Sequence, residues 1–103
     1  MNQRFEAELR VNDSPVELNR FIEQFIARTV AGAKSSLRDA ENMETIEFHL
    51  KQGDVTIIVN GNELDITAFP NQIMANTITA MVSSLKGVDR VENLHIMVKV
   101  SPV

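Results

Sequence analysis

The chain contains no cysteine among its 103 residues, so disulfides, thiolate metal sites and cysteine nucleophiles are excluded. Basic residues are also scarce, because 10 Lys and Arg stand against 14 Asp and Glu, for a formal net charge of -4. Nucleic acid and anionic membranes attract proteins through basic surfaces, so neither is expected as a partner. The length fits a single domain, which we place at residues 1–103.

Long hydrophobic runs are missing as well. The first residues, Met-Asn-Gln-Arg-Phe-Glu, lack the apolar core of a signal peptide. The longest stretch without a charged residue, 66–85, contains too many Asn, Gln, Thr and Ser residues for a transmembrane helix. The sequence therefore predicts a cytoplasmic protein without a membrane partner.

What the sequence does contain is an internal repeat at a distance of 48 positions. When residues 21–38 are aligned with residues 69–86, seven of the 18 pairs are identical. Unrelated stretches of this length would share about one residue, so a fixed period of self-similarity indicates a duplication. We define the two pseudo-repeats as residues 1–51 and 52–103.

Each pseudo-repeat predicts a strand, a helix and a second strand. Four stretches alternate apolar and polar residues with a period of two, which is typical of strands with one buried face: 5–11, 46–51, 54–59 and 94–100. Ser14 and Pro15 have the residue types of a helix cap and a first helical position, and Glu17 completes a capping box. The first helix is therefore predicted to begin at this point.

The predicted β-α-β-β-α-β order resembles the ferredoxin-like sandwich, an α+β fold with both helices on one face of the sheet. Right-handed crossovers and the pseudo-two-fold favour an antiparallel sheet in which the four predicted strands have the order 4-1-3-2. Gln52 and Gly53 are predicted to form a two-residue hairpin turn, which places apolar residues opposite apolar residues and polar residues opposite polar residues on the two strands. Five apolar residues are predicted to be buried in the core: Phe25, Phe48, Ile57, Ile73 and Ile96.

Sequence patterns that carry chemistry are scarce. In the 4-1-3-2 order His49 and His95 lie on opposite edge strands, about 14 Å apart, and cannot share a metal ion. Glu6 and Glu8 lie on an open sheet face without a cleft that would shift the pKa of either carboxylate. We therefore expect a protein that is not an enzyme, with no catalytic residues, no cofactor and no metal.

The residues Asn60, Gly61 and Asn62 are the predicted ligand-binding candidates. They follow a predicted strand and precede a predicted helix, where backbone N–H groups can bind anions. The same residue types are also favoured in turns for purely conformational reasons, so the alternative is a simple turn.

The second predicted helix differs from the first in its charge. It lies within the uncharged stretch 66–85, whereas the first helix carries Arg20, Glu23 and Arg28. Its predicted outer face holds four polar, uncharged residues: Gln72, Asn76, Thr79 and Ser83. The cores of protein interfaces are depleted in charge, so these four residues are predicted to form an interface. A neutral solvated surface is the alternative.

Two functions follow from the sequence. The first is a non-catalytic protein-interaction or oligomerisation module that associates through the uncharged outer face of the second helix. It would form a homo-oligomer or bind a different protein. The alternative is a regulatory domain that senses a small ligand through its strand-helix loops.

Overall fold

The structure of the chain, a computed structural model, describes residues 3–35, 45–64 and 68–102. These residues form six strands and two helices in the order β1 (Gln3–Val11), β2 (Ser14–Val16), α1 (Arg20–Ser35), β3 (Thr45–Lys51), β4 (Asp54–Val59), β5 (Asn62–Glu63), α2 (Ala68–Ser83) and β6 (Asn93–Pro102). The fold class is α+β, with one sheet and two helices.

All six strands join in one antiparallel sheet of order β2-β1-β6-β3-β4-β5. The predicted ferredoxin-like order 4-1-3-2 is therefore wrong. The last strand, β6, lies in the middle of the sheet, where it pairs along its length with β1 on one side and β3 on the other. The predicted β-α-β unit is also wrong, because each half contains an additional short strand, β2 or β5, before its helix.

Three of the four pairs of equivalent elements nevertheless begin 48 positions apart: β2 and β5, α1 and α2, and β3 and β6. The helices begin at Arg20 and Ala68, and the short strands begin at Ser14 and Asn62. The sheet order is also symmetric. Replacing β1, β2 and β3 by β4, β5 and β6, and the reverse, gives the same order when it is read from the opposite edge. Two residues separated by 48 positions therefore occupy comparable places in the fold.

Three hairpins each have a tight turn in which both central residues have positive φ angles. Asn12-Asp13 joins β1 to β2, Gln52-Gly53 joins β3 to β4, and Asn60-Gly61 joins β4 to β5. Positive φ at both central residues is the geometry of a type I′ turn, whose twist matches that of the paired strands. The predicted Gln52-Gly53 turn is confirmed by the pairing of Lys51 with Asp54 across it.

The predicted start of the first helix at Ser14 is wrong. Ser14 and Pro15 belong to β2, which pairs with the end of β1. The helix begins at Arg20, and its cap is Asn19, whose Oδ1 accepts a hydrogen bond of 2.8 Å from the backbone N–H of Ile22. An Asn side chain in this position satisfies one of the free N–H groups of the first turn.

The core lies between the sheet and the two helices. Phe48, Ile57 and Ile96 are buried, as predicted. Phe25 and Ile73 were predicted to be buried as well, and this is wrong, because 52 % and 47 % of their surfaces are exposed. The buried stripe of each helix runs along neighbouring positions instead: Ile26, Ala27, Val30 and Ala31 on α1, and Met74, Ala75, Ile78 and Val82 on α2.

Side chains from α1 cover the outer edge of β1. Because β2 pairs only with Leu9–Val11, the backbone groups of Phe5 and Ala7 face outward at this edge. Glu23 Oε2 accepts a hydrogen bond of 3.1 Å from the N–H of Ala7, and Gln24 Nε2 donates one of 2.6 Å to the carbonyl of Phe5. Satisfied edge groups are not open to pairing with a strand of another molecule.

Replacement of Glu23 tests this contact. We expect Glu23→Ala to lower the free energy of unfolding by about 1–2 kcal/mol, because the hydrogen bond to Ala7 has a charged acceptor and is partly buried. Glu17→Ala removes the same charge at an exposed position and is the matched control, with an expected change within about 0.5 kcal/mol. Urea denaturation of the three proteins measures the difference, and equal losses in the two variants would contradict the edge contact.

Candidate functional site

The open face of the sheet, opposite the helices, brings three potential metal ligands together. Ile46, Phe48 and Leu50 of β3 are buried under the helical layer, so Glu47 and His49 project from the open face. His95 of β6 lies directly opposite His49 in the strand register. We name Glu47, His49 and His95 the histidine cluster.

The predicted separation of the two histidines is wrong. Because β3 and β6 are neighbours in the observed sheet, the rings of His49 and His95 stack, with centroids 4.1 Å apart and an angle of 15° between the planes. The expected distance of about 14 Å, which excluded a shared metal ion, is therefore wrong.

The polar atoms of the histidine cluster converge. Glu47 Oε1 lies 3.4 Å from His49 Nε2 and 3.7 Å from His95 Nε2. One ligand atom from each of the three residues falls within 4.8 Å of the other two. All three side chains are half-buried, with 30–38 % of their surfaces exposed. A carboxylate and two imidazoles at these distances can coordinate one cation.

His95 is held in a setting that disfavours its protonated form. Its pKa is lowered from the ordinary value of 6.5, first by burial and then by the neighbouring His49 and Arg10, while Glu47 and Glu8 act in the opposite direction. The Nε2 atom of His95 is buried and has no hydrogen-bond partner among the residues that the structure describes. A buried imidazole nitrogen without a hydrogen-bond partner is unusual in a folded protein.

A concavity of about 610 Å³ lies beside the histidine cluster on the open face. It is lined by His49 and His95 together with polar and charged residues of the neighbouring strands, among them Arg10, Lys51 and Thr56. Asp13 also lines the concavity, so the site combines two imidazoles with charged side chains of both signs.

Of the predicted ligand-binding residues, Asn60 and Gly61 form the hairpin turn between β4 and β5, and Asn62 is the first residue of β5, so none lies in a strand-helix loop. Thr45 and Asn60 are tied by two hydrogen bonds of 3.0 Å, one from the N–H of Asn60 to the Thr45 carbonyl and one from the N–H of Thr45 to Asn60 Oδ1. Asn62 Nδ2 donates to the Asn60 carbonyl at 3.5 Å. None of the three lines the concavity beside the histidine cluster. Their observed contacts shape the turn.

The predicted interface residues lie together on α2. Gln72, Asn76 and Ser83 are exposed, and Thr79 is half-buried. Gln72 Nε2 donates a hydrogen bond of 3.2 Å to Asn76 Oδ1, so these amides are paired along the helix surface. The structure therefore places the four residues on one helix, α2.

Three large apolar side chains are exposed in the described part of the chain, and all three are on the helices: Phe21, Phe25 and Ile73, with 70 %, 52 % and 47 % of their surfaces accessible. The rings of Phe21 and Phe25 contact each other at a centroid distance of 6.0 Å. They border an apolar concavity of about 330 Å³ between α1 and the end of α2, which we name the helical groove. It is also lined by Ile22, Ile26, Met81, Ser84 and Leu85.

Sequence reasoning missed this apolar surface. Phe25 is predicted to be buried, and the sequence predicts no role for Phe21. A signal was present, because Phe21 and Phe25 precede Ile22 and Ile26 by one position each, about 100° around the helix from the buried stripe.

None of the helices in the described ranges is long and apolar enough to cross a membrane. Comparison of the chain with protein-family models, with curated proteins and with solved structures found no match in any of the three.

Proposed function

We propose that the chain is a non-catalytic module that associates with a second copy of itself through its helical layer. The observation that carries this proposal is the position of the exposed apolar side chains. Phe21, Phe25 and Ile73 are all on the helices, and Phe21 and Phe25 border the apolar helical groove. Exposed apolar surface of this kind on a small protein marks an interaction site. The polar interface predicted on α2 belongs to the same layer.

The missing charge on α2 favours a second copy as the partner. In a two-fold symmetric dimer each residue lies near its own equivalent, so a charge close to the axis faces a like charge. The stretch 66–85, which contains α2, has no charged residue, and a face of this kind avoids that repulsion. On α1, Glu23 and Arg28 reach toward the edge of β1, where the Arg28 guanidinium lies 4.5 Å from the Phe5 ring centre.

The internal repeat supports a self-complementary face. Phe25 and Ile73 are 48 positions apart and therefore occupy comparable places on α1 and α2. Each is about half exposed. A face that presents similar apolar side chains on both helices can pack against itself, with the Phe25 ring of one copy placed in the helical groove of the other.

Sedimentation equilibrium at about 100 μM protein tests the proposal, since a dimer with a dissociation constant above about 1 μM is still detected at this concentration. We expect a dimer for the wild type and a monomer for Phe21→Glu and for Asn76→Arg. These two variants introduce opposite charges at exposed positions, so loss of the dimer in both reflects the location and not the net charge. Each introduced charge disfavours the dimer because its burial in the interface without an opposite charge costs free energy.

The matched control is Lys99→Gln, which changes the net charge by as much as Phe21→Glu but lies on the open face of β6. It should remain dimeric. A wild type that stays monomeric at about 100 μM would contradict self-association. A dimer that dissociates in Lys99→Gln but not in Phe21→Glu would move the interface to the sheet.

A cytoplasmic location belongs to the same proposal, and cell fractionation tests it.

A further inference from the structure

We propose that Glu47, His49 and His95 form a binding site for one divalent transition-metal ion, with Zn²⁺ as the probe. The histidine cluster lies on the open face of the sheet, away from the helical layer. This inference is therefore independent of the proposed self-association, and either can fail without the other.

The distances within the cluster are close to those that a tetrahedral ion requires. Bonds of 2.0–2.2 Å place ligand atoms of such an ion about 3.3–3.6 Å apart. Glu47 Oε1 lies 3.4 Å from one imidazole Nε2 and 3.7 Å from the other, and the three ligand atoms are within 4.8 Å of one another. The carboxylate is thus already positioned, and the two imidazole nitrogens need the larger adjustment.

That adjustment is a ring rotation. The stacked imidazoles are nearly parallel, at 15°, with centroids 4.1 Å apart, so their nitrogen lone pairs lie in separate, nearly parallel planes. A metal ion lies in the plane of each ring that it binds, so one ring must turn about its Cβ–Cγ bond. This torsion has a broad, shallow profile in histidine, and both side chains are partly exposed, which leaves room for the turn.

The ligand types select the ion. Two imidazole nitrogens and one carboxylate are a donor set typical of Zn²⁺ and neighbouring transition metals, whereas Ca²⁺ and Mg²⁺ prefer oxygen ligands throughout. Three protein ligands leave a fourth position for water. Arg10 lies near His95 and opposes a cation, and Glu8 offsets it, so affinity has to come from the direct ligands.

The strands hold the ligands in a fixed relation. Glu47 and His49 are two residues apart on one face of β3, and His95 is the cross-strand neighbour of His49 on β6. Both strands are paired on both sides within the sheet. Ligands on such strands are positioned more precisely than ligands on loops, which makes a three-ligand site sufficient for measurable binding.

Isothermal titration of the full, tag-free chain with ZnCl₂ is the test. We expect saturation at one ion per chain, with a dissociation constant well below 1 mM, and no competition from millimolar Mg²⁺. His49→Ala, His95→Ala and Glu47→Gln should each weaken binding at least about tenfold, since even partners outside the coordination shell contribute 10–100-fold. With Co²⁺ in place of Zn²⁺, visible absorption bands should appear in the wild type and be lost in these variants.

The matched controls are Glu8→Gln and Met97→Leu. Glu8 is an acidic residue of β1 on the same face, and Met97 lies between it and Glu47 in the register. Met97→Leu should bind Zn²⁺ like the wild type, and Glu8→Gln, which only offsets Arg10, should weaken binding much less than Glu47→Gln. Binding that does not saturate below about 1 mM, or that falls equally in Glu8→Gln and Glu47→Gln, would overturn the site. Circular dichroism of each variant verifies that a loss of binding is not a loss of the fold.

Discussion

Replacing Phe48 with alanine should lower the free energy of unfolding by about 3–5 kcal/mol, the usual effect of emptying a buried aromatic position. Phe48 is fully buried in β3, where it pairs with Ile57 of β4 on one side and Ile96 of β6 on the other. Both neighbours are buried as well, so the cavity would open inside the core. The loss is a large part of the 5–15 kcal/mol typical of a domain.

Thermal unfolding followed by circular dichroism measures this effect. For a chain of this size we expect the Tm to fall by at least about 12 °C. Phe21→Ala is the matched control, because Phe21 is 70 % exposed and its truncation should change stability by about 0.5 kcal/mol or less. Both melts should be recorded at a few micromolar protein, where association does not stabilise the fold. Similar Tm values for the two variants would show that Phe48 is not a central core residue.

The second large effect is expected at Asn12, which ties the turn after β1 to the chain that enters β6. Asn12 Oδ1 accepts hydrogen bonds of 2.8 Å and 3.0 Å from the N–H groups of Glu92 and Asn93, and Nδ2 donates one of 2.6 Å to the Arg90 carbonyl. Its φ angle is 50°, in the left-handed region. Asn12→Ala loses all three bonds and adds backbone strain, for an expected cost of about 2–3 kcal/mol.

Two further variants separate these causes. Asn12→Gly loses the same hydrogen bonds but tolerates the positive φ angle, so it should be less destabilising than Asn12→Ala. Asn62→Ala removes one exposed contact of 3.5 Å and should be close to the wild type. Urea denaturation of the set measures the differences. An Asn12→Ala protein as stable as Asn62→Ala would show that the side-chain bonds to residues 90–93 do not hold β6.

Local features of the fold could be predicted from the sequence where neighbouring residues determine them. The alternation of His49 and Leu50 with their neighbours identified β3 and its two faces, and Gln52-Gly53 fixed the register with β4. The two short strands were missed for different reasons. Ser14 and Pro15 suit a helix start as well as a strand, and Asn60-Gly61, a strong hairpin signal, was assigned to a strand-helix loop.

The sheet order could not be predicted, because the rules applied to it do not distinguish the two arrangements. In both the predicted and the observed order, the crossover through α1 passes over one strand, all neighbours are antiparallel, and exchange of the two halves leaves the order unchanged. The alternation of apolar residues is the same in either case. Since the histidine cluster exists only when β6 lies next to β3, the error in strand order also hid the candidate site.

The central position of β6 has a consequence for how the chain is made. β6 is synthesised after every other element, yet it is the strand that joins β1 to β3, and its pairing brings Gln3 beside Pro102. Without it, the β1–β2 hairpin and the β3–β5 strands share no backbone hydrogen-bond ladder within the described sheet. A nascent chain on the ribosome therefore cannot complete its sheet until β6 has left the exit tunnel. Pairing over such a sequence separation is slow, so we expect folding to occur in one late step after synthesis of β6.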